Sequence, residues 1–277
     1  MMADDRAVQF SILLPVHRPP ALLPFAVKSV LAQTLTSFEL LIVCDGAPAE
    51  TVEVARSFET SDSRVVVLER PKGERHGEAH RHEALSGAHG ELVAHIGDDD
   101  LWLPNHLEEM AKLLHRVDFG NLCMTVVGMG KDRGRIRPVD LRSGAVRRRM
   151  CSERWNGFGP IAVGYRMEVY RALESGWTPS PPSVWPDLFM WRKFLKTKGL
   201  RFGSRMAVTS LKFAAEARLE MSQEERALEI SAWADRVADP GQCDLVVQEA
   251  LLDLAHRYLM LDFDKSHIAE GPAQTLE

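Results

Sequence analysis

The sequence predicts an α/β protein: a doubly wound, mostly parallel sheet followed by a helical C-terminal appendage. Three observations carry this. Over the first hundred residues, short apolar runs alternate with segments whose apolar positions recur every three or four residues. Strands separated by helices pair in parallel, because a parallel neighbour needs a crossover. Two of the runs end abruptly in negative charge beside glycine, at Cys44-Asp45-Gly46 and at Gly97-Asp98-Asp99-Asp100. From Ser222 onward, Ala227, Ile230, Trp233 and Val237, then Leu245, Val246, Ala250, Leu254 and Tyr258, keep helical spacing across a break at Asp239-Pro240-Gly241.

In order, Phe10 to Val16 has strand length and stops at His17-Arg18-Pro19-Pro20. Ala21 to Gln33 reads as a helix and Phe38 to Val43 as a second strand. A helix from Ala49 to Phe58, a strand from Arg64 to Leu68, a helix from His76 to Ala88 and a strand from Glu91 to Ile96 follow. A helix begins near Pro104, and Asn121 to Val127 is a strand. The basic stretch Lys131 to Arg149, eight cationic residues against Asp132 and Asp140, is a flap that draws in an anion or a solvated loop. Ile161 to Tyr165 is a strand, Met167 to Leu173 a short helix, and Trp185-Pro186-Asp187 a helix start with an acid near the positive end of the dipole. Gly271 to Glu277 reads as a frayed tail.

At 277 residues, 45% hydrophobic and 26% charged, the chain has the composition of an ordinary globular protein. No apolar run approaches the roughly 20 residues of a membrane span, and no signal pattern opens the chain, so the cytoplasm is the expected address. Cys44, Cys123, Cys151 and Cys243 stand far apart, which argues against a disulfide framework or zinc knuckle. His76 and His80 have the spacing of two ligands on a helix, but no third is implied. Nothing suggests nucleic-acid binding. The net charge of -5 hides an asymmetry, since residues 214–277 carry fourteen acidic against five basic side chains.

In doubly wound sheets, ligands bind outside the carboxyl ends of the strands, where Pro15, Asp45 and Asp98 to Asp100 fall. Three adjacent carboxylates need a cation, a set of donors or open water. Hard oxygen ligands suit Mg²⁺ or Mn²⁺, while the plainer reading is an acidic turn capping the next helix. No GxxxxGK[ST] occurs, and the glycines near Gly128 have the wrong spacing for GxGxxG.

Two blocks, SILLPVHRPPALLPFAVKSVLAQTLTSFELLIVCDGAP and AHRHEALSGAHGELVAHIGDDDLWLPNHLEEM, resemble the nucleotide half of the family 2 glycosyltransferases. These have the GT-A fold, a Rossmann-like, doubly wound sheet. The likeness runs from Ser11 to Met110 and reappears at Val184-Trp185-Pro186-Asp187-Leu188-Phe189-Met190-Trp191-Arg192. It implies a metal-dependent, inverting transfer of a sugar from a nucleotide-diphosphate donor, with a UDP-sugar expected, to an acceptor the sequence does not specify. Asp45 would accept a hydrogen bond from the base, with Pro15 and His17 lining its pocket. Asp98 would lie near the ribose, Asp99 would hold the Mn²⁺ or Mg²⁺ that bridges the diphosphate, and Asp100 would support or cap. Arg81 matches an Arg-Asn pair, and Asp187 matches the general base.

Lys72, Arg75 and His76, and further on Lys212 and Arg218, are candidates for touching the diphosphate; Trp155, Tyr165, Trp177 and Trp185 are candidates for stacking on a sugar. Two departures stand out: Gly97 replaces the first Asp of the usual Asp-any-Asp pattern, and His82 replaces the Asn that follows Arg81. They keep open a rival reading, a catalytically degenerate member that binds a nucleotide sugar or a partner without turnover. The expected division is a GT-A domain over 1–213, with a nucleotide half at 8–118 and an acceptor half at 119–213. An acidic helical extension over 214–277 would pack on the catalytic domain or on a second subunit, the latter making a homodimer.

Overall fold

The computed structural model describes residues 8–128 and 134–269, with side chains as far as residue 261. Among the described residues nine strands form one sheet in the order β3-β2-β1-β4-β8-β6-β9-β5, with β7 paired to β6. β1 (Phe10–Val16), β2 (Phe38–Asp45), β3 (Val65–Arg70) and β4 (Leu92–His95) are mutually parallel. Their crossovers are α1 (Leu23–Leu31), α2 (Ala49–Ser61) and α3 (Glu78–Ser86). β1 and β2 are apolar almost throughout and buried, as strands covered by helices on both faces must be.

The second half of the sheet is mixed. β5 (Leu101–Trp102) follows the aspartates, and α4 (His106–Leu114) leads to β6 (Phe119–Val127). β7 (Gly134–Arg137) and α5 (Gly144–Ser152) precede β8 (Val163–Arg166), which runs antiparallel between β4 and β6. α6 (Met167–Arg171) and α7 (Pro186–Lys196) lead to β9 (Phe202–Lys212), parallel to β6. Around α7 the core is aromatic: Phe119, Tyr165, Trp177, Trp191 and Phe194 are buried together. Of the aromatic candidates for sugar stacking, Tyr165 and Trp177 are therefore core, Trp155 is half-buried against the same cluster, and Trp185 is exposed at 44%.

Three local expectations change. The basic stretch is neither a flap nor a solvated loop over its described part. β7 pairs with β6, and Ser143 caps α5 by accepting from the Val146 N–H. Lys131 and Arg133 lie outside the described residues, as does the tail from Gly271. Lys212, a candidate for the diphosphate, is the last residue of β9, a strand the sequence did not place. β5 is a two-residue strand that pairs antiparallel with β9 and fixes the far side of the aspartate turn.

α8 (Gln223–Ala238) and α9 (Pro240–Ala269) form the C-terminal part. α8 opens with a capping box in which Ser222 and Glu225 satisfy each other's backbone N–H groups. Its Ile230, Trp233 and Val237 share a cluster with Leu101, Leu103, Leu211 and Phe213, so the helix is packed directly beside β5 and β9. α9 leaves Leu252, Leu259 and Leu261 exposed. Among the described residues no helix is long and apolar enough to cross a membrane, and all four cysteines are free, with Cys44 and Cys123 buried in strands.

Candidate active site

The carboxylates meet at the carboxyl edge of the parallel strands. Asp45 ends β2 and is buried. Its Oδ1 accepts from the Gly73 N–H at 2.6 Å, and its Oδ2 is paired with the Lys72 ammonium. Burial works to raise this carboxyl, but the Lys72 and Gly73 hydrogen bonds outweigh it and hold Asp45 below the usual carboxylate range. Lys72 is thus paired with Asp45, the residue expected at the base. His17 lies close enough to feel Asp45 and Lys72, and burial, then Arg18, lowers its imidazole. Pro15 is the half-buried residue at the end of β1, paired with Val43 of β2.

Gly77, with φ of 72°, closes against Asp45; a Cβ there would collide with the Asp45 carboxylate. Gly77→Ala is expected to cost about 1–2 kcal/mol from the left-handed backbone alone and to weaken binding of a nucleotide by displacing Asp45. A thermal melt and a titration with UDP check it; an unchanged pair of results would refute the close-approach argument.

Asp98, Asp99 and Asp100 are all buried, at 4%, 4% and 2% exposure. Two like charges about 4 Å apart repel by on the order of 4 kcal/mol at an effective dielectric near 20, so the run needs cations. The fold supplies three. Arg18 lies 3.0 Å from both Asp98 and Asp99, Arg226 of α8 donates to Asp99 Oδ2 at 2.9 Å, and Lys212 of β9 reaches Asp100 at 3.2 Å. Asp100 also accepts from the Phe213 N–H at 3.1 Å, which anchors the end of β9. Burial raises Asp98, to about 7, and Asp100, to about 6; for Asp99 burial is outweighed by Lys212, Arg18 and Arg226, and its carboxyl is lowered. Gly97 has a local reason. A Cβ there would stand 2.9 Å from Asp100 Oδ2 and 3.2 Å from Asp99 Oδ1, so an aspartate at this position would press on its neighbours.

Asp187 sits in the first turn of α7. Its Oδ2 accepts from Asn156 Nδ2 at 2.8 Å and its Oδ1 from the Leu188 N–H at 2.8 Å. Burial raises its carboxyl above the ordinary value. It lines a cavity of about 290 Å³ together with Asn156, Trp185, Arg137 and Lys212. Lys212 thus joins the Asp187 cavity to the triple aspartate. Arg81 of α3 feels Glu78, Asp187 and Asp45, and its Nε is buried without a partner. His82, beside it, is turned away to the Tyr170 hydroxyl at 2.8 Å. Arg218 is also turned away: it is 2% exposed, paired with Glu229 of α8 at 2.7 Å and donating to the Val127 carbonyl. It is a structural anchor, not a diphosphate contact.

Sequence reasoning missed Arg18, Arg226 and Asn156 as site residues. Arg226 did leave a signal. It falls on the stripe continued by Ile230, Trp233 and Val237, and a charge on a buried helix face needs a partner.

The donor chemistry suits a hard divalent ion: carboxylate oxygens, among them Asp98 Oδ2, buried without a directed hydrogen bond. Among the described residues no group of three or more His, Cys, Asp or Glu is arranged to hold a metal by itself. An ion on Asp99 would therefore complete its shell with phosphate oxygens and water, as Mg²⁺ commonly does.

A half-parallel sheet with Asp45 and the triple aspartate at its carboxyl edge, and Asp187 lining a cavity that Lys212 joins to the aspartates, has the GT-A fold. Among solved structures, TarS residues 1–349 of S. aureus in complex with UDP aligns with TM-score 0.59 at 17% identity, over 83% of this chain and 69% of that one. The mannosyltransferase PcManGT of Pyrobaculum calidifontis, in complex with GDP-Man and Mn²⁺, aligns with TM-score 0.55 at 16% identity, over 93% and 84%. The chain belongs to glycosyl transferase family 2, whose model matches residues 11–173. Curated relatives include the Escherichia coli UDP-Glc:alpha-D-GlcNAc-diphosphoundecaprenol beta-1,3-glucosyltransferase WfgD, 34% identical over 113 residues, 40% of this chain and 42% of that protein. The succinoglycan biosynthesis protein ExoW of Rhizobium meliloti is 29% identical over 112 residues, 40% and 35%. The chain spans less than half the length of these relatives.

Proposed function

We propose that this glycosyltransferase moves a sugar from a nucleoside-diphosphate donor, a UDP-sugar in the first instance, to an acceptor hydroxyl or amine with inversion at the anomeric carbon. The observation that carries the reading is the shared cavity: Asp187 and Lys212 line it together, and Lys212 is bonded to Asp100 of the acidic turn. A donor whose base lies at Asp45 and whose diphosphate lies at Asp98 and Asp99 would bring its anomeric carbon towards Asp187.

In this scheme Asp187 takes the proton from the acceptor as its oxygen or nitrogen bonds to the anomeric carbon, and the bond to the nucleoside diphosphate breaks on the opposite face. Asn156 and the Leu188 N–H hold the carboxylate in orientation. Trp185, with the Arg154 guanidinium 4.9 Å from its ring centroid, offers an open aromatic face to an acceptor sugar. Lys212 and Arg18 bring positive charge to the side where the diphosphate leaves. Mn²⁺ or Mg²⁺ on Asp99 and Asp98 would act there as a Lewis acid that neutralises the leaving diphosphate. The rival reading, a binding protein without turnover, has less support because both Asp99 and Asp187 are present and Asp187 faces a cavity.

Calorimetric titration with UDP, GDP, CDP and dTDP, each with and without Mn²⁺, tests the donor side. One diphosphate should bind tightly and lose affinity in EDTA. Binding of none would overturn the reading in favour of a degenerate site.

A further inference from the structure

The C-terminal extension reaches into the acidic turn. Arg226 lies on the buried stripe of α8 and is 7% exposed, yet its Nη2 donates to Asp99 Oδ2 at 2.9 Å across 127 residues of chain. The same oxygen accepts from Arg18 Nη1 at 3.0 Å. The carboxylate oxygen a divalent ion would take is thus already shared by two guanidinium groups. Next to it, Arg226 Nε is buried without a hydrogen-bond partner, and Asp98 Oδ2 is held only by the Arg18 ion pair at 3.0 Å. The arrangement neutralises the turn without satisfying it.

The body of α8 stays docked without this contact, and it is the first turn that Arg226 ties to the acidic turn. That first turn of α8 is closed by the Ser222–Glu225 capping box, Glu229 is tied to Arg218, and Ile230, Trp233 and Val237 are buried against Leu101, Leu211 and Phe213. The helix is held by these, and the Arg226 side chain is left to serve Asp99.

We propose that Arg226 is a built-in counter-cation that competes with a divalent metal ion for Asp99, so that metal loading of the donor site releases the first turn of the C-terminal extension. The proposal rests on Asp99 as the metal-binding carboxylate. Without a metal, Arg226 keeps the three acids from repelling one another. With a metal, a guanidinium and a dication on one oxygen repel each other, and Arg226 withdraws. Linkage makes the effect reciprocal: the factor by which Arg226 weakens metal binding is the factor by which metal weakens the Arg226 contact.

The experiment measures Mn²⁺ binding to the full chain, from the electron paramagnetic resonance signal of the free ion, with and without UDP. Arg226→Met should raise Mn²⁺ affinity about tenfold or more, within the roughly 5- to 150-fold range of coupled sites, and Arg226→Lys should stay close to the wild type. In the unaltered protein, Mn²⁺ should speed amide hydrogen exchange in residues 222–229, and Asp99→Asn should abolish that response. The second measurement needs no Arg226 substitution, so a poorly folding methionine variant would not spare the proposal. Equal affinity in wild type and Arg226→Met, or exchange in α8 that ignores Mn²⁺, would overturn the competition while leaving Asp99 as the metal site. Absence of Mn²⁺ binding in every variant would instead remove the metal reading, and the competition with it.

Discussion

Asp187→Asn is expected to lower the transfer rate by about 10²- to 10⁴-fold, the usual contribution of a positioned general base, while leaving UDP affinity within a factor of about three. The substitution is nearly isosteric. An amide oxygen can still accept from Asn156 Nδ2 or the Leu188 N–H, so the fold around α7 should persist. What is lost is the ability to take a proton. Asp187 also makes a pH prediction, because burial raises its carboxyl. A base works only when deprotonated, so kcat/KM should fall as pH drops through that raised value. The acid limb should therefore lie above the range of an ordinary carboxylate and should vanish from the residual activity of Asp187→Asn. Steady-state rates across pH, together with UDP titrations, check both parts. A variant that turned over at the normal rate would mean the proton goes elsewhere.

Asp99→Ala should erase the Mn²⁺-dependent part of diphosphate binding. Asp100 cannot substitute, because Lys212 and the Phe213 N–H already hold it, and Asp98 Oδ2 is paired with Arg18 at 3.0 Å. The residual, metal-free binding should not fall, since the change frees Arg18 and Arg226 from their shared carboxylate. The readout is the ratio of UDP affinities with and without Mn²⁺, which should collapse to about one on the affinity scale used for such comparisons. A ratio unchanged from the wild type would show that the ion sits on other ligands.

Much of the fold was legible because its signals are local. β1, β2, β3 and β4 are apolar runs of strand length separated by helical periods, and each appears within a few residues of its expected place. The candidate acids were legible for the same reason: Asp45 and Asp98 to Asp100 terminate strands, and Asp187 opens a helix behind Pro186. β5 was not, since two residues have no period. β7 and α5 were hidden by charge, because the arginines between Arg135 and Arg149 read as solvated loop. Several of them instead lie along a strand edge or a helix surface, and Arg147 stacks over Phe202.

The pairing of the acidic turn with its counter-ions could not be read, although Lys212 was a candidate and Arg226 left a signal on its helix face. Arg18 reaches Asp99 across 81 residues, Lys212 reaches Asp100 across 112, and Arg226 reaches Asp99 across 127. The sequence by itself determined which carboxylates stand at strand and helix ends, since apolar periodicity and turn residues act over a few positions. Only the tertiary structure decided which cations neutralise them, because charges interact through space and a sheet brings together side chains that the chain keeps far apart.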